Sequence, residues 1–167
     1  EKPTILATSG NDFERYANWL QEHAISMERM DLIQEVPTAS AYITTDYDDN
    51  QITAFNPGAM NYSTYQNNTN LETQSIAIVS PGNLEDMQHY PAKYKELAIP
   101  YIFDPGQNIP AFSGDQLLEM ITGSKMLIAN DYELSLITES TNCTKKELLE
   151  KTEYIVTTLG EQGARID

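Results

Sequence analysis

Short apolar runs alternate with segments of helical periodicity along the second half of the chain. The predicted strands are Ile76–Val79, Tyr101–Phe103, Met126–Ala129 and Tyr154–Thr158. Helices are predicted up to Leu97, over Asp115–Ile121, from Glu133 to Thr138 and over Thr144–Thr152. This alternation is typical of right-handed βαβ units. It predicts an α/β fold with a mostly parallel sheet and helices on both of its faces.

The first half of the chain has a different pattern. Thr4–Thr8 reads as a short buried strand, and Asp12 is placed to cap a helix that ends near His23. From Met30 to Phe55 the period changes to that of strands around a polar turn, which predicts a β-meander with a hairpin. This stretch does not fit the parallel layer, so we expect a separate small antiparallel sheet or flap. The polar segment 61–74 is weakly patterned and predicts a loop or a marginal helix.

Length and charge limit the function classes. The chain has 167 residues and a formal net charge of −15, which suits about one domain and disfavours binding to nucleic acid or to an anionic membrane. No apolar run reaches the roughly 20 residues of a membrane span. The chain opens at Glu1 without an apolar signal segment, and the single cysteine, Cys143, predicts a reduced thiol. These features predict a cytoplasmic protein.

The chemistry of an open α/β sheet lies beyond the carboxyl ends of its strands. This rule selects four strand ends: Ser80–Gly82, Asp104–Gly106, Asn130–Glu133 and Thr158–Gly163. Asp104 follows a strand and could orient a metal-bound water or a hydroxyl, or it is a turn residue before proline. Asn130 and Glu133 could hold a hydrated Mg²⁺ beside phosphate, or they form a helix capping box of the same spacing. The stretch 158–163 offers the Thr158 hydroxyl and two glycines to a nucleotide, or it is an ordinary hairpin turn.

Taken in order, these corners resemble the ribokinase-like (PfkB) family of sugar and nucleoside kinases, and within it most nearly the bacterial adenosine kinases. The stretches that carry the resemblance are Ile43–Met60, Ile102–Gln107, Asn130–Glu133 and Thr158–Ala164. The first stretch is long and rather specific. The Asn-x-x-Glu and Thr-x-Gly-x-x-Gly motifs are short, and they support the resemblance mainly through their order and spacing.

The resemblance implies a three-layer α/β sandwich with a β-sheet lid, and residues 30–56 would supply that lid. It implies ATP and Mg²⁺ as cofactors, with Asn130, Glu133, Thr158 and Gly160 at the nucleotide and Glu133 at the metal. Phe55 would close over the nucleoside, and Asp104 is the second candidate for binding the substrate. The reaction would transfer the γ-phosphoryl group of ATP to the 5′-hydroxyl of adenosine. There are two alternatives: a sugar kinase of the same family, and a binding or assembly domain without catalytic activity.

Departures from the family pattern also carry information. Family members have a late Gly-Ala-Gly-Asp-type motif whose aspartate is the general base, and no such motif occurs in these 167 residues. An early acceptor-binding segment is also missing, so the chain resembles roughly half of a family member. We therefore expect this chain alone to be inactive, and no catalytic residue is assigned within it. We also expect exposed strand edges and apolar faces, which a partner copy of the chain would cover.

Overall fold

The structure, a computed structural model, describes residues 3–48, 50–65, 71 and 75–167. The chain divides into two compact units, an N-terminal unit of residues 1–70 and a C-terminal unit of residues 71–167. Most of the polar segment 61–74 lies outside the described residues, so its predicted loop is not tested there. No helix in the described ranges is long and apolar enough to cross a lipid bilayer.

The C-terminal unit contains a five-stranded sheet in the order β5-β6-β7-β8-β9. Its strands are β5 (Ala77–Val79), β6 (Tyr101–Phe103), β7 (Met126–Asn130), β8 (Tyr154–Thr158) and β9 (Ala164–Ile166). Strands β5 to β8 are parallel, and β9 pairs with β8 in the antiparallel direction. The mostly parallel α/β sheet predicted from the alternating pattern is confirmed. Strand β9 was not predicted, and its pairing makes residues 159–163 a hairpin connection.

Four helices accompany this sheet: α2 (Leu84–Glu96), α3 (Gly114–Ile121), α4 (Asp131–Thr141) and α5 (Lys145–Leu149). Helices α3, α4 and α5 each begin with a reciprocal capping box. In a capping box the first-turn N–H groups find acceptors before the helix ladder can supply them. Local sequence therefore determines where these helices start, and it places the start of α4 directly at the end of β7.

The two faces of this sheet differ in burial. Tyr101, Phe103 and Leu127 on one face are fully buried, and α2, α3 and α4 contact one another as a layer beside the sheet. On the other face, Ile78 is 65% exposed and Ile166 is 67% exposed. The helical layer of this unit thus covers one face. The expected exposed apolar face is present.

The N-terminal unit begins with a βαβ arrangement. Strand β1 (Ala7–Gly10) and strand β2 (Met30–Ile33) pair in parallel, and helix α1 (Glu14–Glu22) lies between them in sequence. The predicted meander is wrong for the segment around β2, which does not pair with the hairpin that follows. Parallel neighbours need a crossover connection, and α1 provides the one between β1 and β2.

A two-stranded antiparallel hairpin follows, formed by β3 (Ser40–Thr45) and β4 (Gln51–Asn56). The Asp46 carboxylate closes its turn by accepting hydrogen bonds from the Asp48 and Asn50 backbone N–H groups, each at 2.9 Å. Every residue of β4 is exposed. The predicted antiparallel element is therefore confirmed over residues 40–56, and its role as a lid stays a prediction.

Asp12 does not cap α1 as the sequence pattern predicts. Phe13 stands at the N-cap position, and no side chain caps the helix. The Asp12 carboxylate instead accepts hydrogen bonds from the Thr38 backbone N–H at 2.8 Å and from the Thr38 hydroxyl at 2.6 Å. These hydrogen bonds lower the pKa of Asp12. The carboxylate thus ties the start of α1 to a residue far away in sequence.

Candidate functional site

A polar cavity lies at the carboxyl ends of β6, β7 and β8 in the C-terminal unit. Its volume is about 260 Å³. The residues that line it are Pro81, Asp104, Gly106, Gln107, Ile128, Ala129, Asn130, Glu133 and Thr158. We call it the rim cavity. Asp104 directly follows β6, and Asn130 and Thr158 are register partners at the ends of β7 and β8. The strand-end rule thus predicted which corners meet.

Asn130 and Glu133 form a reciprocal capping box at the start of α4. The Glu133 backbone N–H donates to Asn130 Oδ1 at 2.7 Å, and the Asn130 backbone N–H donates to Glu133 Oε2 at 2.8 Å. The capping alternative is therefore confirmed. The same two side chains also line the rim cavity, so capping and ligand binding are compatible here. Capping orients both side chains toward the carboxyl end of β7 before any ligand arrives.

Asp104 and Glu133 bring two carboxylates to this one cavity. Burial raises the pKa of Asp104, and the negative charge of Glu133 raises it further, while a hydrogen bond from the Gly106 backbone N–H opposes these effects. No lysine, arginine or histidine occurs among the described residues that line the cavity. A bound cation would relieve the repulsion between the two carboxylates.

Gly106 and Pro81 line the rim cavity, although the sequence assigned them no role. Gly106 has a positive φ of 46°, and a Cβ atom at this position would lie 2.5 Å from Pro81 Cγ. A side chain at position 106 would therefore be strained by the backbone and would also collide with the proline. A Pro-Gly pair follows both β5 and β6 in the sequence, which marks two turns. The contact between position 106 and Pro81 joins these two turns, which lie far apart in sequence.

The remaining predicted site residues lie in different places. Thr158 lines the rim cavity with an exposed side chain. Gly160 is not among the described residues that line the rim cavity. It lies in the turn after β8 with a φ of +57°, and a Cβ atom at this position would meet no other atom within 4 Å. That turn joins β8 to β9, so the hairpin-turn alternative for residues 158–163 is confirmed. Phe55 belongs to the N-terminal unit, where it lies on β4 and is 52% exposed.

The donor set of the rim cavity fits a hydrated Mg²⁺ ion. Mg²⁺ keeps several waters and binds proteins through one or two carboxylates together with substrate phosphates. Asp104 and Glu133 supply two carboxylates, and Glu133 Oε1 makes no hydrogen bond within the described part of the chain. No cluster of three or more metal-binding side chains occurs among the described residues. An ion here would therefore need oxygen ligands from solvent or from a phosphate.

The sequence and the fold of this chain are similar to those of known kinases. The pfkB family carbohydrate kinase model matches residues 2–166. A nucleoside kinase of Methanocaldococcus jannaschii is 29% identical over 164 residues, which cover 97% of this chain and 54% of that protein. The structure of Burkholderia thailandensis nucleoside kinase in complex with inosine is 32% identical, with a TM-score of 0.91, and the match covers 98% of this chain and 54% of that one.

The same Burkholderia thailandensis enzyme in complex with ADP-inosine matches with a TM-score of 0.85 at 32% identity, covering 98% of this chain and 52% of that one. This chain thus spans about half the length of the relatives that it matches. The family match, in contrast, extends over nearly all of its 167 residues. The chain belongs to the pfkB family of carbohydrate kinases.

Proposed function

We propose that this chain carries the metal and nucleotide site of a nucleoside kinase, which transfers the γ-phosphoryl group of ATP to the 5′-hydroxyl of a nucleoside. One observation carries the proposal: Asp104, Asn130, Glu133 and Thr158 surround a single cavity at the carboxyl ends of parallel strands. The similarity to a nucleoside kinase in complex with inosine and with ADP-inosine supports the same substrates.

The carboxylates of the rim cavity hold the metal in this proposal. Glu133 and Asp104 would hold the ion: Glu133 Oε1 makes no hydrogen bond in the described residues, while Oε2 accepts from the Asn130 N–H. When bound, Mg²⁺ neutralises phosphate charge beside these carboxylates. Because the described lining has no basic side chain, ATP without a divalent cation would meet only like charge here.

Two neutral side chains orient the phosphates. The Asn130 side chain uses Oδ1 for capping, which leaves its Nδ2 hydrogens to donate to a phosphate oxygen. The exposed Thr158 hydroxyl at the end of β8 is a second donor. Gly160 follows two residues later, and with no side chain it lets a nucleotide approach the backbone. Positioning by such fixed donors supplies much of the rate of phosphoryl transfer.

The hairpin of β3 and β4 in the N-terminal unit is proposed to bind the acceptor. Phe55 is 52% exposed on this hairpin and has the flat apolar surface that would cover a nucleobase. Adenosine is the acceptor that the sequence resemblance implies, whereas the related enzyme was solved with inosine. We therefore propose a purine nucleoside as the acceptor class, with the hairpin acting as its lid.

Turnover needs a general base, and the aspartate motif that supplies it in the family does not occur in these residues. We expect the chain alone to bind Mg·ADP but to release no ADP from ATP above background. The test combines isothermal titration calorimetry with Mg·ADP and an ADP-release assay with inosine, adenosine, ribose and fructose as acceptors. A full-length relative, the Methanocaldococcus jannaschii nucleoside kinase, is the positive control for the assay.

Thr158→Val provides the matched perturbation for the binding experiment. It removes the hydroxyl from the rim cavity but keeps the shape of the side chain, and we expect Mg·ADP binding to weaken about tenfold. Thr138→Val, on α4 outside the cavity, is the control and should bind as the parent chain does. Binding that is unchanged in Thr158→Val, or absent from the parent chain, contradicts the proposed site.

A further inference from the structure

Helix α1 carries an aromatic ladder that the proposed function does not use. The ladder consists of Phe13, Tyr16, Trp19 and His23, spaced three or four residues apart so that they share one face of the helix. The Tyr16 and Trp19 rings are stacked with centroids 5.6 Å apart and an interplanar angle of 18°. Trp19 stacks in turn on His23 at 4.1 Å.

These rings remain in contact with solvent. Tyr16 is 55% exposed and Trp19 is 46% exposed, whereas Leu20 is the one buried residue of the helix. Ring contacts within a helix do stabilise it. They leave the outer faces of the rings uncovered, however, and large exposed aromatic surfaces on a helix mark places where another molecule binds.

A cavity of about 360 Å³ opens beside this ladder, lined by Asp12, Arg15, Tyr16 and Trp19. Its four lining residues all lie at the start of α1 or along it, so the cavity is an open recess on the surface of this helix. The Asp12 carboxylate is already engaged by Thr38. The exposed Arg15 guanidinium makes no hydrogen bond or ion pair within the described residues. The cavity thus presents two aromatic rings, the uncommitted Arg15 guanidinium and the Asp12 carboxylate, which remains negatively charged while it accepts from Thr38.

We propose that this cavity binds a planar aromatic ligand that carries one anionic group. The ring of the ligand packs against Tyr16 and Trp19, as aromatic pairs do in offset or edge-to-face contact. The anionic group meets the Arg15 guanidinium, which binds carboxylates and phosphates through paired N–H donors. A mononucleotide and an aromatic carboxylic acid share this chemistry. The chain has a net charge of −15, so Arg15 must supply the attraction for the anion locally.

Trp19 is the single tryptophan of the chain, so its fluorescence reports on this cavity alone. The experiment titrates the chain with adenosine monophosphate and, in a separate arm, with benzoate, under selective excitation of tryptophan. Inosine, which lacks the anion, and ribose 5-phosphate, which lacks the ring, are the ligand controls. We expect a saturable fluorescence change with an anionic aromatic probe and none with either control. The arm that saturates identifies the source of the ligand.

Variants separate binding from a structural role of the ladder. We expect Arg15→Gln to weaken the saturable binding about tenfold, and Tyr16→Leu to weaken it similarly. Tyr42→Leu, which removes another exposed tyrosine, should bind like the parent chain. Glu133→Gln should also bind like the parent chain, which distinguishes this site from the rim cavity. Absence of a saturable change, or equal binding by Arg15→Gln, overturns the inference.

A stability measurement covers the case in which Tyr16→Leu fails to fold properly. The melting temperature and the helical circular dichroism signal of each variant are recorded with its titration. If Tyr16→Leu loses helical signal while Arg15→Gln binds as the parent chain does, the ladder only stabilises α1 and the proposal fails. If both variants keep the helical signal and lose binding, the proposal stands.

Discussion

Glu133 has two roles in this account, and a pair of substitutions can separate them. Its Oε2 caps the Asn130 backbone N–H, and its negative charge is proposed to hold Mg²⁺ in the rim cavity. Glutamine also serves at this position of a capping box, so Glu133→Gln keeps the cap and removes the charge. Glu133→Ala removes both.

The magnitudes follow from the hydrogen bonds that each variant loses. Glu133→Ala leaves the partly buried Asn130 N–H without its acceptor, and capping losses of this kind cost about 1–2 kcal/mol. Glu133→Gln replaces a charged acceptor by a neutral one and also removes the repulsion on Asp104, so we expect a net cost below about 1 kcal/mol. For a chain of this size, 1 kcal/mol lowers the melting temperature by about 2–4 °C.

Affinity for the metal–nucleotide should fall in both variants alike, although only Glu133→Ala loses the cap. Both variants lose the carboxylate, so both should bind Mg·ADP at least about tenfold more weakly than the parent chain. Calorimetric titration with Mg·ADP and thermal unfolding without ligand measure the two effects on the same samples. Glu139→Gln, a change on the exposed surface of α4, is the control for loss of a negative charge from this helix.

Binding of Mg·ADP by Glu133→Gln with the affinity of the parent chain would refute the role of Glu133 in holding the metal. Glu133 would then be a capping residue that happens to line a cavity. An equal loss of stability in Glu133→Gln and Glu133→Ala would show, in addition, that glutamine does not preserve the capping box.

Three further experiments, with five substitutions between them, test the energetics of the C-terminal unit. Because the pKa of Asp104 is raised in the fold, ionisation of this carboxyl lowers the stability as the pH rises above the ordinary pKa of 3.8. Asp104→Asn should therefore have a higher melting temperature than the parent chain at neutral pH. This difference in melting temperature should vanish below pH 3.8. Thr157 Oγ1 is buried without a hydrogen-bond partner in the described residues, so Thr157→Val should raise the free energy of unfolding, measured in urea, by about 1 kcal/mol. Thr141→Val is the contrasting variant: it loses a 2.6 Å hydrogen bond to the Ile137 carbonyl and should be destabilised. Gly106→Ala should lower the free energy of unfolding by about 1–3 kcal/mol, and by more than Gly160→Ala does. Both glycines have a positive φ, but only at position 106 would a Cβ atom lie 2.5 Å from Pro81 Cγ. Equal melting temperatures of the two variants would contradict this contact.

The C-terminal sheet could be predicted because its signals are local. Apolar runs bounded by proline, glycine and asparagine defined β6, β7 and β8 to within a residue or so. The rule that parallel strands end at one edge then brought Asp104, Asn130 and Thr158 together. The spacing of Asn130 and Glu133 was compatible with a cap and with a ligand site, and the structure shows the cap on the wall of the cavity.

The features that the sequence did not predict depend on distant partners. The pattern around β2 indicated a strand but not that it would pair with β1. Asp12 looked like a helix cap, yet its carboxylate finds Thr38, which is 26 residues away. The contact between position 106 and Pro81 likewise joins two separate loops. Periodicity and capping preferences describe neighbours along the chain, so they carry no information about such pairs.

Diffraction from crystals grown with ADP and Mn²⁺ tests the central claim most directly, because Mn²⁺ replaces Mg²⁺ and its anomalous signal locates the ion without ambiguity. We expect an anomalous peak in the rim cavity from an ion that is bound to Glu133 and faces Asp104, with the ADP phosphates beside Thr158. An ion bound elsewhere, for example at the Asp46 turn of the hairpin, or ADP bound away from the ends of β7 and β8, would contradict it.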